Sequence, residues 1–321
     1  MANILLTQSC NQACPYCFAS YETGHESISR ENFQRAVEFI TRTPGAKIGL
    51  LGGEPLLHPD FGYFCDRLRD DPRAHAVVVY TNGRLLHNHL HSMSAEKFAL
   101  LVNCNEKAFY GEAEFAKLRD NIARSVEQLS TNNVLLGLNV FKEGMALDDL
   151  LSMLREFGMH KIRLSLAIPN GVNRQAHRKQ YDTMKAELFR IFRAFAEEDV
   201  LPVFDCSRIP MCYYSQDEIA LLKSLFKTRL RDTNLLTAST ACRPVLDIYP
   251  DLTVCRCFGY TELHVNLLDF RNTEDLSNYF FNKVDKYRFD GPRPECKTCY
   301  LNSTMNCMGG CMAYKTEGES A

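Results

Sequence analysis

Three cysteines near the start of the chain stand in the segment Cys10-Asn-Gln-Ala-Cys14-Pro-Tyr16-Cys17, a C-x3-C-x2-C spacing on one short loop. Three thiolates so spaced can ligate three irons of a 4Fe–4S cube and leave the fourth iron without a protein ligand. An open iron is what a chelating substrate needs. A zinc site, or a ferredoxin-type cluster with a remote fourth cysteine, uses the same residues, and spacing alone does not choose among them. A second set lies at the other end, Cys296-x2-Cys299-x7-Cys307-Met-Gly-Gly-Cys311. Its Gly309-Gly310 pair lets backbone turn sharply and approach sulfur closely. Upstream, the run from Cys242 to Cys255-Arg-Cys257 reads as a strand, a Pro250-Asp251 turn and a second strand, which brings Cys242 toward Cys257.

The 321 residues include 14 cysteines, which in a small secreted chain would mean disulfides. Here the chain is long, its cysteines are grouped in short clusters, and its first residues lack a basic segment followed by an apolar one. A cytoplasmic metalloprotein is therefore expected. The net charge of −2 gives no reason to expect nucleic acid or an anionic membrane as partner. No apolar run approaches the roughly 20 residues that span a bilayer.

These groups need a scaffold, and the first two-thirds of the chain supplies its pattern. Strands are expected at Ile4–Thr7, Lys47–Leu51, Ala76–Tyr80, Phe98–Val102, Val134–Phe141 and Lys161–Ile168, several of them continuously apolar as in parallel sheets covered on both faces. Between them, Phe33/Ala36/Val37/Ile40, Phe61/Phe64/Cys65/Leu68, Phe115/Leu118/Ile122/Val126, Leu150/Leu151/Leu154 and Met184/Leu188/Ile191/Phe195 mark apolar helix faces. Six strands with intervening helices predict an α/β fold, a parallel sheet or partial (β/α)6 TIM-like barrel, over residues 1–200. From residue 201 to 321 the pattern changes to one further helical stretch, Ile219–Phe226, and dense cysteines, as expected of a small domain held by clusters. Lys315–Ala321 reads as a frayed tail.

With the triad placed directly after the first strand, the chain resembles the radical S-adenosylmethionine (SAM) superfamily, whose signature is C-x3-C-x-aromatic-C. Tyr16 fills the aromatic position, which in that family packs near the adenine of SAM. Gly52-Gly53-Glu54-Pro55 follows the second strand and is similar to the family's segment for the methionine amino group. Tyr80-Thr81-Asn82-Gly83 ends the third strand, where the family often has such a turn. Three ordered matches at successive strand ends also obey the rule that α/β proteins bind ligands there. The resemblance implies that Cys10, Cys14 and Cys17 hold a cluster whose open iron is chelated by SAM. Reductive cleavage of SAM then yields a 5′-deoxyadenosyl radical that abstracts hydrogen from substrate. It further implies SAM contacts at Gly52, Gly53, Glu54, Pro55, Thr81 and Asn82. Asn103, Asn105 and Asn139 fall where the family places ribose and adenine contacts, and Arg163 could meet the SAM carboxylate; each also reads as an ordinary strand-end polar residue. An electron donor such as flavodoxin or ferredoxin goes with this chemistry.

The C-terminal cysteines resemble the auxiliary-cluster extension called SPASM, or its shorter form, twitch. Three features depart from that pattern: Leu252 stands where the family has glycine, the gap from Cys299 to Cys307 is two residues longer, and no cysteine follows Cys311. Cys206 and Cys212 could supply the missing thiolates. Cys206, Cys212, Cys242, Cys257, Cys296, Cys299, Cys307 and Cys311 then suffice for two fully ligated auxiliary 4Fe–4S clusters, against the alternatives of one cluster or a zinc site. Cys255 could replace any of these, since strand alternation puts it on the same face as Cys257.

Other residues invite chemistry and are read more plainly. Cys65 is a structural thiol on a helix face. Cys104 could donate a hydrogen atom but is not assigned a site. His87, His89 and His91 are a solvated stretch, and Arg174, His177, Arg178 and Lys179 a charged helix start. The function expected first is oxidation or cross-linking of a ribosomal peptide, with auxiliary clusters as electron acceptors and a separate recognition protein as a conceivable partner. A small-molecule dehydrogenase or rearrangement enzyme of the same chemistry is the second reading. A non-catalytic iron–sulfur or zinc protein is the third; it explains the cysteines but not Tyr16 or Gly-Gly-Glu-Pro.

Overall fold

The computed structural model describes residues 1–17, 26–167, 184–204, 209–238, 240–289, 291 and 293–314. It is a mixed α/β fold with a large parallel sheet, as expected, and a cysteine-rich C-terminal region. The chain divides into two units. The first comprises Met1–Pro15, Ala19–Leu136 and Pro244–Phe280; the second Tyr16–Phe18, Gly137–Arg243 and Phe281–Ala321.

In the first unit, β1 (Ala2–Leu5), β2 (Ala46–Leu51), β3 (Ala74–Thr81) and β4 (Phe98–Asn103) pair in parallel in that order. β1 is buried along its whole length, which explains why Ala2-Asn-Ile-Leu carries a continuous apolar signal apart from Asn3. The helix α1 (Arg30–Thr41) connects β1 to β2. Ser29 caps it by accepting from the Asn32 N–H, a contact of about 1 kcal/mol. Its stripe Phe33, Ala36, Val37 and Ile40 is buried, and Phe33 stacks on Phe64 of α2 (Phe61–Asp70) with ring centroids 4.0 Å apart. Cys65 is buried on the same helix, and burial pushes its thiol far up, as befits a structural cysteine. The connection from β3 to β4 uses two short 3-10 turns, Leu86–Asn88 and Leu90–Ser92. His87 and His91 are exposed there, while His89 packs edge-on against Phe61. The helix α3 (Glu112–Leu129) follows β4 and leads to β5 (Val134–Val140), within which the division between units falls.

On the other side of β1 lies a part of the sheet built from late sequence. β8 (Asp247–Ile248) pairs with β1 in parallel, β9 (Thr253–Cys257) with β8 antiparallel, and β10 (Tyr260–Asn266) with β9 antiparallel. The turn at Pro250-Asp251 joins β8 to β9, as the sequence predicts. Leu252 in that turn has φ +71°, a left-handed conformation that favours glycine. The backbone thus keeps the glycine-like geometry while the side chain is buried among core residues.

In the second unit, α4 (Asp148–Glu156) leads to β6 (Lys161–Leu166), and α5 (Lys185–Glu197) to a seventh strand, β7 (Leu201–Phe204), parallel to β6. β7 is the last strand in its order, so Pro202 is tolerated there. The helix α6 (Gln216–Phe226) contains the expected Ile219–Phe226 stretch and opens with a full capping box, Ser215 with Glu218. The last described α-helices are α7 (Thr273–Lys283), which lies in the first unit up to Phe280, and the short α8 (Tyr300–Ser303) of the second. Among the described residues no helix is long and apolar enough to cross a membrane. Cys206, Ile168, Arg174, His177, Arg178, Lys179 and the tail from Lys315 lie outside the described residues.

Candidate functional site

The site is built at the C-terminal ends of β1, β2, β3 and β4. Directly after β2, Gly52-Gly53-Glu54 lies against the chain that leads into Cys10. The Gly53 N–H donates to the Thr7 carbonyl at 2.8 Å, and the Glu54 N–H to the Ser9 carbonyl at 2.9 Å. An ideal Cβ on Gly52 would stand 2.2 Å from the Thr7 oxygen, and one on Gly53 2.3 Å from the Ser9 oxygen and 2.6 Å from that of Gln8. These are backbone atoms that cannot swing aside. Close approach to the triad loop, rather than a turn type, therefore demands both glycines. Pro55 then opens a short 3-10 helix, Pro55–Leu57.

Glu54 is buried and its carboxylate is engaged three times. Oε1 accepts from the Thr81 hydroxyl at 2.7 Å and from the Leu56 N–H at 3.2 Å; Oε2 accepts from the Asn82 N–H at 2.8 Å. Burial raises its pKa from the ordinary 4.5 to about 7, against the pull of these three neutral donors. Glu54 thus ties the loop after β2 to the turn after β3, and its role here is to position both.

That turn is Thr81-Asn82-Gly83-Arg84. Gly83 sits at φ +78°, where a Cβ would meet Leu118 at 2.6 Å and Val102 at 2.8 Å, so again only glycine fits. Asn121 of α3 donates to the Gly83 carbonyl at 2.9 Å. From the turn two side chains reach the triad loop: Asn82 Nδ2 donates to Asn11 Oδ1 at 2.7 Å, and Arg84 Nη1 to the Asn11 carbonyl at 3.0 Å. Arg84 is held in turn by Glu114 at 2.7 Å. Lys117, then Arg84, hold the half-buried Glu114 carboxyl down to about 2. Sequence reasoning singled out Thr81 and Asn82 but not Asn11, Arg84 or Asn121. The available signal was position: Asn11 lies inside the triad and Arg84 adjoins Thr-Asn-Gly.

Asn103, the last residue of β4, is half-buried. Asn105, expected beside a ribose or adenine, has its Nδ2 3.6 Å from Cys14 Sγ. Its backbone N–H donates to the Tyr110 hydroxyl at 3.1 Å. Cys104 beside it is buried, which pushes its thiol up to about 12. Cys10 is exposed, Cys14 and Cys17 are half-buried, and none of the three is in a disulfide.

In the second unit the Tyr16 ring lies 5.1 Å from that of Phe141, just past β5. Asn139 Oδ1 accepts from Arg163 Nη1 and from the Ser165 hydroxyl, each at 2.7 Å, so the two predicted residues Asn139 and Arg163 meet each other. Among the C-terminal cysteines, the Cys307 sulfur accepts from the Gly309 N–H at 3.3 Å and lies 2.9 Å from the Thr240 hydroxyl. The Cys242 N–H points to Met308 Sδ at 3.3 Å. An ideal Cβ on Gly291 would fall 2.2 Å from Cys296 Sγ, so glycine leaves that sulfur its space. Cys212 is exposed at its edge, yet surrounding protein raises its thiol pKa. The Arg293 charge pulls that value down, and Cys296 and Cys307, near enough to repel its thiolate, add to the rise. Arg293 also donates to the Cys212 carbonyl at 2.6 Å. Cys299 is half-buried and Cys311 buried, neither of them in a disulfide.

In the first unit Cys255 is fully buried in a cluster with Leu5 and Tyr249, whereas Cys257 is half-buried with the Arg256 Nη1 3.5 Å from its sulfur. The two thiols thus differ in surroundings.

Among the described residues no group of three His, Cys, Asp or Glu side chains is drawn together tightly enough to hold a single metal ion. The donor set nonetheless fits an iron–sulfur cluster. None of the described cysteines is in a disulfide, and sulfurs of both sets receive N–H or O–H donors, as cluster thiolates do.

Comparison with known proteins follows these lines. Over 88 residues the chain is 33% identical to the S-adenosylmethionine-dependent nucleotide dehydratase of Selenomonas ruminantium, covering 27% of this chain and 31% of that protein. It is 27% identical over 179 residues to the GTP 3′,8-cyclase of Acidothermus cellulolyticus, covering 53% of this chain and 43% of the cyclase. The matched stretches thus span less than half the length of these relatives. Among solved structures, Streptococcus suis SuiB bound to S-adenosylmethionine aligns with a TM-score of 0.61 at 12% identity, covering 97% of this chain and 72% of SuiB. Native anSMEcpe with bound AdoMet and Cp18Cys peptide aligns at 0.64 and 16% identity, covering 100% and 91%. At these identities the structural matches establish a shared fold. Residues 4–116 match the Radical SAM superfamily, and the triad, the Gly-Gly-Glu-Pro loop and the Thr-Asn-Gly turn all fall within the matched stretch.

Proposed function

We propose that this chain is a radical SAM enzyme that oxidises or cross-links a peptide. In this reading Cys10, Cys14 and Cys17 hold a 4Fe–4S cluster with an open iron, and SAM binds there. The carrying observation is that Gly52, Gly53, Glu54, Thr81, Asn82 and Arg84 are all engaged in holding the triad loop and its neighbouring turns. Such rigidity suits a reaction that needs the target hydrogen close to a radical carbon and water excluded. When bound, the cluster supplies the electron that cleaves SAM to a 5′-deoxyadenosyl radical. Tyr16, with Phe141 at its side, offers an aromatic surface for adenine. Asn139 and Arg163 offer polar groups for ribose and carboxylate. Asn103 is a further candidate.

Cys212, Cys242, Cys257, Cys296, Cys299, Cys307 and Cys311, with Cys206, are proposed as ligands of two auxiliary 4Fe–4S clusters in a SPASM-like region, residues 201–321. Cys255, enclosed by Leu5 and Tyr249, fits a core thiol better than a ligand. Saturated auxiliary clusters suit acceptance of the electron left after hydrogen abstraction, giving net loss of two hydrogens from substrate. A flavodoxin or ferredoxin as reductant, a separate peptide-recognition protein and a cytoplasmic setting belong to the same reading.

A peptide substrate is favoured because the structural likeness covers 97% to 100% of this chain, cysteine-rich end included, and extends to SuiB bound to precursor peptide SuiA and to anSMEcpe with Cp18Cys peptide. A nucleotide or other small molecule is the second reading, since the sequence relatives are a nucleotide dehydratase and GTP cyclases. Anaerobic reconstitution with iron counting and product analysis tests the proposal. Roughly 12 irons per chain are expected for three clusters, against roughly 8 for two. A peptide encoded beside this gene should lose the mass of two hydrogens in the presence of SAM and reductant. Turnover of a nucleoside triphosphate with the peptide untouched would favour the second reading.

A further inference from the structure

Asn105 lies two residues past the end of β4. Its side chain meets a triad sulfur, with Nδ2 3.6 Å from Cys14 Sγ, an N–H···S length. A further contact fixes it there: its own backbone N–H donates to the Tyr110 hydroxyl at 3.1 Å. The Gln12 side chain, inside the triad loop, faces the same hydroxyl. Asn105 is 8% exposed, so the contact is made largely out of water, where a hydrogen bond to a charged sulfur is stronger. A donor on a ligand thiolate withdraws electron density from the metal group and stabilises its more negative, reduced state.

We propose that Asn105 is a positioning residue that acts through Cys14: its amide raises the reduction potential of the cluster held by the triad, and Tyr110 fixes it for that role. The inference rests on the reading of the triad as a cluster site. It replaces the ribose or adenine contact that strand position suggested.

The test is an EPR-monitored redox titration of the full-length, anaerobically reconstituted protein. The triad cluster is recognised as the signal that changes when SAM is added, because only an open iron binds it. Asn105→Asp is isosteric and turns a carboxylate oxygen toward the sulfur; it should move that midpoint to more negative potential. Asn105→Leu should move it the same way by less, and Asn105→Gln, which keeps an amide, should recover part of the shift. If a position-105 variant fails to retain iron, Tyr110→Phe serves instead. Its midpoint falls if Asn105 is held as described and stays at the wild-type value if not. A SAM-sensitive signal with the same midpoint in wild type, Asn105→Asp and Asn105→Leu overturns the inference. Absence of any SAM-sensitive signal from the wild type would overturn the triad reading instead, so the two failures are told apart.

Discussion

Gly53→Ala should lower SAM cleavage by about 100-fold or more, the scale of loss expected when reacting groups are displaced by about 1 Å. The added methyl would stand 2.3 Å from the Ser9 carbonyl oxygen and 2.6 Å from that of Gln8. Neither atom can rotate away, so the loop after β2 and the segment entering Cys10 must separate. The hydrogen bonds from Gly53 to Thr7 and from Glu54 to Ser9 would lengthen with them. Overpacking of this kind costs about 1–3 kcal/mol of stability, which a fold of this size survives. The defect should therefore appear in 5′-deoxyadenosine formation by chromatography while circular dichroism stays native. Gly62→Ala is the matched control. Its Cβ meets only the Ser92 hydroxyl oxygen at 3.3 Å, in helix α2, and activity should be unchanged. A Gly53→Ala enzyme with wild-type cleavage would show that the close approach has no bearing on the triad.

The second large effect concerns Glu54 and pH. Its folded pKa of about 7 lies above the ordinary 4.5, because burial disfavours the charge more than Thr81, Asn82 and Leu56 stabilise it. Between these values the folded state holds a proton that the unfolded state has released. Stability therefore falls as pH rises from 4.5 through 7 and is flat above, by about 3 kcal/mol in total at 1.36 kcal/mol per pKa unit. Glu54→Gln cannot ionise and should lack this slope. It also loses an acceptor for the Asn82 N–H, so it starts less stable at low pH. Urea unfolding of the metal-free chain from pH 5 to 8 should show the gap between wild type and variant closing as pH rises. Parallel curves would mean that Glu54 titrates as an ordinary carboxyl.

Much of this architecture was legible in the residues. Cysteine spacing, the paired glycines and the Thr-Asn-Gly turn are local signals, and apolar periodicity marked α1, α2 and the parallel strands. What escaped was non-local. Arg84 and Asn11 are 73 positions apart and meet only because the ends of β1 and β3 are brought near each other across the sheet. β7 is four residues long and contains proline, which argues against a strand unless it lies at an edge. β10 alternates Thr261, Leu263 and Val265 with polar residues, a period-two signal that could have been read.

Leu252 is instructive in a different way. As a residue it departs from the glycine of the SPASM pattern, yet its backbone is left-handed. Left-handed geometry costs roughly 1–2 kcal/mol for such a side chain, while burying a leucine contributes about 1.5–3 kcal/mol. Packing therefore offsets the strain, and the turn keeps its shape without glycine.

The proposed chemistry depends most directly on the triad. The decisive comparison is 5′-deoxyadenosine released from SAM after dithionite reduction, in the reconstituted wild type and in the variant with Cys10, Cys14 and Cys17 all changed to alanine. The wild type should form the nucleoside, and the variant should form none while losing about four irons per chain. Unchanged nucleoside and iron in the variant would contradict it.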